Sequence, residues 1–153
     1  MTVGAERAVG DKSKMFFVFV YGTLKEGFPN YHVNSGVRVP GTFITCQRFP
    51  LFLVGERHTP CLINRVGRGE QVAGQVYRVD QATLARMDEL EQVTEPGGYQ
   101  RMKITVTRSS EHRWFEVNAY LKDEKQLTGL QVQLGPLAEY TLEHAARYQR
   151  RQL

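Results

Sequence analysis

The alternation of apolar and polar positions along the chain is typical of short β-strands for most of its length. Seven segments are rich in β-branched or aromatic residues and are separated by Gly, Pro or charged turns, which predicts strands. They are Phe16–Tyr21, Gly41–Thr45, Leu51–Val54, Cys61–Val66, Val72–Val79, Tyr99–Thr107 and Trp114–Leu121. The first strand is apolar at every position, so we expect both of its faces to be covered and its place to be central.

Two segments have a helical pattern instead. Asp80 can cap a helix over Gln81–Val93, which Pro96-Gly97-Gly98 would end. Pro136 can begin a tail helix with one apolar face. That face would contain Leu137, Tyr140, His144 and Tyr148. With a shorter helical turn near Pro29–Asn34, this order predicts an α+β fold, a small, mixed, partly closed β-barrel with flanking helices.

The length of 153 residues fits one domain. Residues 1–14 mix charges with small residues and have no apolar run, so we expect a flexible leader, not a secretory signal, followed by a single domain over 15–153. No apolar run approaches the roughly 20 residues that span a bilayer. The two cysteines, Cys46 and Cys61, lack a disulfide framework. We therefore expect a cytoplasmic protein with reduced thiols and no membrane partner.

Several kinds of chemistry have no matching motif. The four histidines show neither HExxH spacing nor close pairing, so no metal is expected, and no phosphate-binding loop or other cofactor motif is present. The net charge of +4 is scattered, and its densest group, Arg147, Arg150 and Arg151, suits a helix end. Without a basic stripe interleaved with aromatics, we expect no nucleic-acid partner.

Glu91 is the first candidate for chemistry. On a helical projection it falls between Leu84 and Met87, on the face that should be buried, whereas Arg86 and Glu89 face water. Burial disfavours an ionised carboxylate and can bring its pKa into the range of a general acid/base. The alternative is that Glu91, in the last turns of the helix, reaches solvent or pairs with Arg101.

The tetrapeptide Tyr21-Gly22-Thr23-Leu24 is the second candidate, because it follows a buried strand at an abrupt change to polar sequence. A glycine with positive φ there could expose consecutive backbone N–H groups that hold a carboxylate or an oxyanion, and Thr23 adds a hydroxyl. The alternative is an ordinary turn between a strand and a loop.

Taken in order, several blocks resemble the γ-glutamylcyclotransferase-like superfamily, and most closely its γ-glutamylamine branch. The blocks are VYGTLKEGFPN, then Gly55-Glu56 with Pro60, then VAGQVYRVD leading into LARMDELE, then GYQR. They extend from about Phe19 to Arg101, and beyond Lys103 the likeness is thin.

The resemblance implies a small β-barrel in which the tetrapeptide loop and the helix glutamate meet in one cavity. Carried over by residue, Tyr21, Gly22, Thr23 and Leu24 would bind the glutamyl end of the substrate and Glu91 would be the catalytic acid/base. Asp88 would be a supporting acidic residue, and Tyr99 would line the cavity.

The implied reaction is the cyclisation of a small-molecule γ-glutamyl amine, such as γ-glutamyl-ε-lysine, to 5-oxoproline with release of the amine. It needs neither a cofactor nor an enzyme nucleophile. Cyclisation of γ-glutamyl amino acids or another γ-glutamyl amide is one alternative, and a non-catalytic domain that binds a small acid is another. The leaving amine and the oligomeric state stay open.

Overall fold

The computed structural model describes residues 14–150. Within them the chain forms nine strands, two α-helices and two short 3-10 turns. The strands are β1 Met15–Val20, β2 Val37–Arg38, β3 Phe43–Thr45, β4 Leu51–Val54, β5 Thr59–Leu62, β6 Ala73–Asp80, β7 Gln100–Arg108, β8 Trp114–Leu121 and β9 Val132–Leu134. The helices are α1 Gln81–Leu90 and α2 Leu142–Ala145, and the 3-10 turns are Tyr31–Val33 and Glu124–Leu127.

Five strands close into a mixed barrel. Strand β1 pairs antiparallel with β6 on one side and parallel with β8 on the other. The ring continues from β8 through β7 and β3 back to β6. Strand β2 extends the sheet beside β6, and β5, β4 and β9 form a separate three-stranded sheet. The predicted α+β barrel with flanking helices is confirmed, and so is the central place of β1.

The strand predictions are accurate for the long strands and incomplete for the short ones. Strands β4 and β8 have the predicted bounds, whereas β5 begins at Thr59 and ends at Leu62, before the predicted Val66. The two-residue β2 and the three-residue β9 were not predicted. Strand β1 is covered on both faces only at Val18–Val20, because Phe17 is 45% exposed.

Helix α1 packs against the barrel as its sequence pattern predicts. Asp80 is the N-cap, and its side chain accepts a hydrogen bond from the Thr83 N–H at 2.8 Å. Leu84 and Met87 are buried. The helix ends at Leu90, three residues before the predicted Val93, and the left-handed φ of 56° at Gln92 stops it before the Pro-Gly-Gly sequence is reached.

The predicted tail helix from Pro136 is wrong. The segment after β9 runs along the barrel instead: the Leu137 N–H donates to the Leu51 carbonyl and the Ala73 N–H donates to the Ala138 carbonyl, both at 2.8 Å. These bonds with other strands replace intrahelical ones. Only α2 is helical, with Thr141 as its cap. The proposed leader lies outside the described residues except for Lys14.

Candidate functional site

A cavity of about 780 Å³ opens between the turn after β1, the C-terminal end of α1 and strand β5. It brings together all six residues that the sequence proposes for the site. They are Tyr21, Gly22, Thr23, Leu24, Glu91 and Tyr99. Residues that lie far apart in the sequence therefore share one cavity wall.

The tetrapeptide forms a turn that the following segment holds in place. The Lys25 N–H donates to the Gly22 carbonyl at 3.1 Å. Asn30 contacts Thr23 twice, through its backbone N–H to the Thr23 carbonyl at 2.8 Å and through Nδ2 to Thr23 Oγ1 at 2.9 Å. Because the Thr23 hydroxyl accepts from Asn30, its own proton can be donated to a third group.

Gly22 is needed for a different reason from the one expected. Its φ lies outside the left-handed region, so the predicted positive φ is wrong. A Cβ at this position would instead lie 2.8 Å from Pro60 Cγ, closer than real Cβ contacts allow. The glycine lets the turn approach β5, which forms the opposite side of this part of the cavity.

Asp88 supports the cavity wall through two partners. Its Oδ1 accepts from the Tyr120 hydroxyl at 2.6 Å and pairs with Arg101 Nε at 3.0 Å. The Tyr120 carbonyl in turn accepts from the Tyr21 hydroxyl at 2.7 Å. Arg101, which the sequence offered as a partner of Glu91, thus binds the acidic residue one turn earlier.

Glu91 is the C-cap of α1 and is half-buried. Its N–H donates to the Met87 carbonyl at 2.9 Å, and its carbonyl accepts from the Tyr99 N–H at 3.0 Å. The carboxylate is close enough to Tyr21 for its charge to add to the effect of burial, which raises the pKa of that phenol well above its ordinary value. Its backbone is therefore fixed at the cavity, and the charge of its carboxylate acts on the surrounding tyrosines.

Three buried groups around Glu91 stay protonated at neutral pH. Burial, the largest cause, raises the pKa of the Tyr99 phenol well above its ordinary value, and it also raises the pKa of the Cys61 thiol. Tyr99 donates its hydroxyl to the Pro60 carbonyl at 2.8 Å, with Cys61 Sγ 3.3 Å away. The same cause raises the pKa of Tyr120. A thiol in this state is a poor nucleophile, whereas neutral tyrosines are hydrogen-bond donors.

The sequence reasoning missed a buried lysine behind the turn. Lys25 is 4% exposed, and its ammonium donates to the Tyr140 carbonyl and lies 4.2 Å from the centre of the Phe28 ring. Burial lowers the pKa of this amine to about 8. Its place directly after the tetrapeptide was the available signal. Lys25 joins the Tyr21–Leu24 turn to the segment that was expected to be helical.

Cations around the cavity were missed as well. Arg57, Lys122 and Arg150 line it, and the Lys122 ammonium lies 4.7 Å from the centre of the Tyr99 ring. Within residues 14–150 no three His, Cys, Asp or Glu side chains are grouped to hold a metal ion. Over the same residues no helix is long and apolar enough to cross a membrane.

Comparison with known proteins shows which family the chain belongs to. The model of the family described as gamma-glutamyl cyclotransferase, AIG2-like, matches residues 18–142. The chain belongs to this family. Its member from Bos taurus named gamma-glutamylaminecyclotransferase is 39% identical over 109 residues, which are 67% of this chain and 64% of the bovine protein. The Homo sapiens protein of the same name is 38% identical over 99 residues, 60% of this chain and 62% of its own length.

A solved structure extends the gamma-glutamyl cyclotransferase likeness over nearly the whole chain. An AIG2-like protein from Mus musculus superposes with a TM-score of 0.73 at 30% sequence identity, covering 91% of this chain and 98% of the mouse chain. The sequence match to the bovine and human relatives, in contrast, spans less than two thirds of their length. The predicted resemblance is confirmed at the level of family and fold.

Proposed function

We propose that this protein is a γ-glutamylamine cyclotransferase, which converts a γ-glutamyl amine to 5-oxoproline and a free amine. The observation that carries the proposal is the meeting of Glu91 with the Tyr21–Leu24 turn in one cavity. The names of the bovine and human relatives support the amine as the leaving group. The turn supplies a binding surface and the glutamate supplies a proton acceptor, which are the two functions that the reaction requires.

The substrate carries its own nucleophile. Its α-amine attacks the δ-carbonyl carbon, a new C–N bond closes the five-membered lactam, and the bond from that carbon to the leaving nitrogen breaks. The α-nitrogen loses two protons, one before the attack and one as the lactam forms, and Glu91 passes them one after the other to the leaving nitrogen, which departs as an alkylammonium ion, so no proton is gained or lost overall. Holding the two ends of one molecule within reach makes the attack effectively unimolecular.

The turn after β1 would orient the glutamyl end. Backbone N–H groups of Gly22, Thr23 and Leu24 would bind the α-carboxylate or the oxygen that becomes negative in the tetrahedral intermediate. The Thr23 hydroxyl, which accepts from Asn30, has its proton available for the same purpose. Tyr99 would close the other side, with its ring lining the cavity and its hydroxyl held by Pro60.

A second candidate, cyclisation of γ-glutamyl amino acids, has one observation in its favour. Such substrates carry a carboxylate next to the scissile bond, and Glu91 should repel it. The Lys122 ammonium over the Tyr99 ring offers a compensating positive charge. A non-catalytic domain that binds a small acid is less consistent with the cavity, because a glutamate in its wall would repel an anionic ligand. A cytoplasmic location and the absence of a nucleic-acid partner stay predictions from composition.

The test is product detection from four substrates in parallel. Mass spectrometry should find 5-oxoproline from γ-glutamyl-ε-lysine and from a simple γ-glutamyl alkylamine, with higher kcat/KM than from γ-glutamyl-alanine or glutathione. A preference for either of the last two would assign the protein to another branch of the reaction. Tight binding of 5-oxoproline without turnover of any substrate would favour the binding domain.

A further inference from the structure

The segment after α2 forms part of the cavity wall. Tyr148 and Arg150 both line the cavity, although the family match ends at residue 142. This part of the wall therefore lies outside the region that the family model describes. It belongs to the mouth of the cavity, since Arg150 is exposed whereas Tyr21 and Thr23 are buried.

Contacts with two other segments fix this wall. The Gln149 N–H donates to the Arg57 carbonyl at 3.0 Å, and Arg57 Nη1 donates back to the Gln149 carbonyl at 3.3 Å. Asn30, which holds Thr23, also donates from Nδ2 to the Tyr148 hydroxyl at 3.2 Å. The mouth is thus tied to the same asparagine that positions the binding turn.

The mouth carries both signs of charge in a small space. Glu56 and Arg57 are adjacent in the turn between β4 and β5, both line the cavity, and the Arg57–Gln149 contact brings the residue next to Arg150 to that turn. Arg57 gives one described hydrogen bond to Gln149, and Arg150 gives one to the Pro29 carbonyl. A guanidinium has five N–H donors, so each arginine can also bind a carboxylate.

We propose that Glu56, Arg57 and Arg150 bind the α-amino acid end of a lysine leaving group. The arginines would hold its carboxylate and Glu56 would hold its ammonium group. The inference rests on the proposed function, which places the glutamyl end at the buried turn and so directs the leaving group to the mouth. The mouth then selects γ-glutamyl-ε-lysine over γ-glutamyl amines that lack this end.

Three substrates allow the contributions of the lysine carboxylate and the lysine ammonium group to be measured separately. γ-Glutamylcadaverine differs from γ-glutamyl-ε-lysine only by the missing carboxylate, and γ-glutamylpentylamine lacks the ammonium group as well. The measured quantity is the ratio of kcat/KM between two substrates for the same enzyme, so a general loss of activity in a variant cancels.

We expect wild-type enzyme to prefer γ-glutamyl-ε-lysine to γ-glutamylcadaverine. The substitutions Arg57→Gln and Arg150→Gln should each lower that ratio about three- to tenfold, mostly through KM, as expected for charged contacts that are partly exposed. Glu56→Gln should lower the preference for γ-glutamylcadaverine over γ-glutamylpentylamine. Arg68→Gln, at an exposed arginine outside the cavity lining, is the matched control and should leave both ratios unchanged.

The outcomes distinguish this inference from the function on which it rests. Turnover of all three substrates with ratios that neither arginine substitution changes would overturn the lysine site and leave the cyclotransferase standing. Absence of 5-oxoproline from every γ-glutamyl amine in wild-type enzyme would overturn both. Arg57→Lys, which keeps the charge but loses the fork of donors, should retain part of the preference.

Discussion

The backbone N–H of Tyr99 donates to the carbonyl oxygen of Glu91 at 3.0 Å. This bond closes a loop over residues 92–98 and places the proposed acid/base and a cavity tyrosine on one short piece of backbone. Tyr99 then reaches Pro60 through its hydroxyl, so the loop joins the end of α1 to β5. The position of Glu91 therefore depends on the packing of this loop as much as on the helix.

Substitution of Gly98 should displace Glu91 although the atoms nearest to the new side chain belong to Gln92 and not to Glu91 itself. A Cβ on Gly98 would lie 1.8 Å from the Gln92 carbonyl oxygen, so the loop backbone has to move. We expect Gly98→Ala to lower the free energy of unfolding by about 2–4 kcal/mol and to lower kcat. A Cβ on Gly97 would have no atom within 4 Å, so Gly97→Ala should lower the free energy of unfolding only through its left-handed φ of 82°, by about 1–2 kcal/mol. Urea unfolding of both variants checks the order, and equal stabilities would contradict it.

The close approach of Gly22 to Pro60 predicts coupling between the two positions. Gly22→Ala places a methyl group against the proline ring, which should destabilise the fold by about 1–3 kcal/mol and raise KM by moving the proposed binding turn. Pro60→Ala removes the Cγ atom that lies nearest. The double variant should recover part of both losses. A double-mutant cycle with additive effects would show that the turn does not depend on this contact.

Lys25 predicts a pH dependence of stability with a defined sign. Its pKa is about 8 in the folded protein against an ordinary value of 10.5, so between these values the unfolded state binds more protons and stability rises with pH. From pH 7.5 to 9.5 the gain should be about 2 kcal/mol for this group alone. Other groups, including the buried phenols and thiol, contribute equally to wild type and to Lys25→Met. The difference in unfolding free energy between these two proteins should therefore grow in favour of wild type, and a constant difference would contradict the prediction.

The sequence predicts the barrel because its long strands and α1 carry local signals. The apolar run of β1 and the Asp80 cap do not depend on distant residues; the cap forms as expected, and β1 is the central strand although only Val18–Val20 are buried. The failures have non-local causes. Strand β9 has three residues and forms only because β4 pairs with it. The segment after Pro136 makes its backbone hydrogen bonds with Leu51 and Ala73 on other strands. The periodicity of its own sequence cannot predict these partners.

The candidate site could be predicted as a set of residues but not as a shape. The helical projection and the family resemblance both indicate Glu91, and the cavity places it with Tyr21 and Tyr99. The sequence does not show that Gly22 is needed because Pro60 on β5 leaves no room for a Cβ. It also does not show that Arg101 pairs with Asp88. The sequence does not indicate that Arg57 and Arg150 line one cavity, because they are 93 positions apart and only the folded tail brings their segments together.

In the proposed reaction Glu91 transfers the protons of the cyclisation, and Glu91→Gln tests this role most directly. Glutamine keeps the shape of the side chain but cannot accept a proton, whereas Glu89→Gln removes a carboxylate from the exposed side of the same helix and serves as the control. The measurement is single-turnover formation of 5-oxoproline from γ-glutamyl-ε-lysine, with circular dichroism to check that both variants are folded. We predict a rate about 10²–10⁴-fold lower for Glu91→Gln and a wild-type rate for Glu89→Gln. A folded Glu91→Gln protein with a rate close to wild type would show that Glu91 is not the acid/base of the reaction.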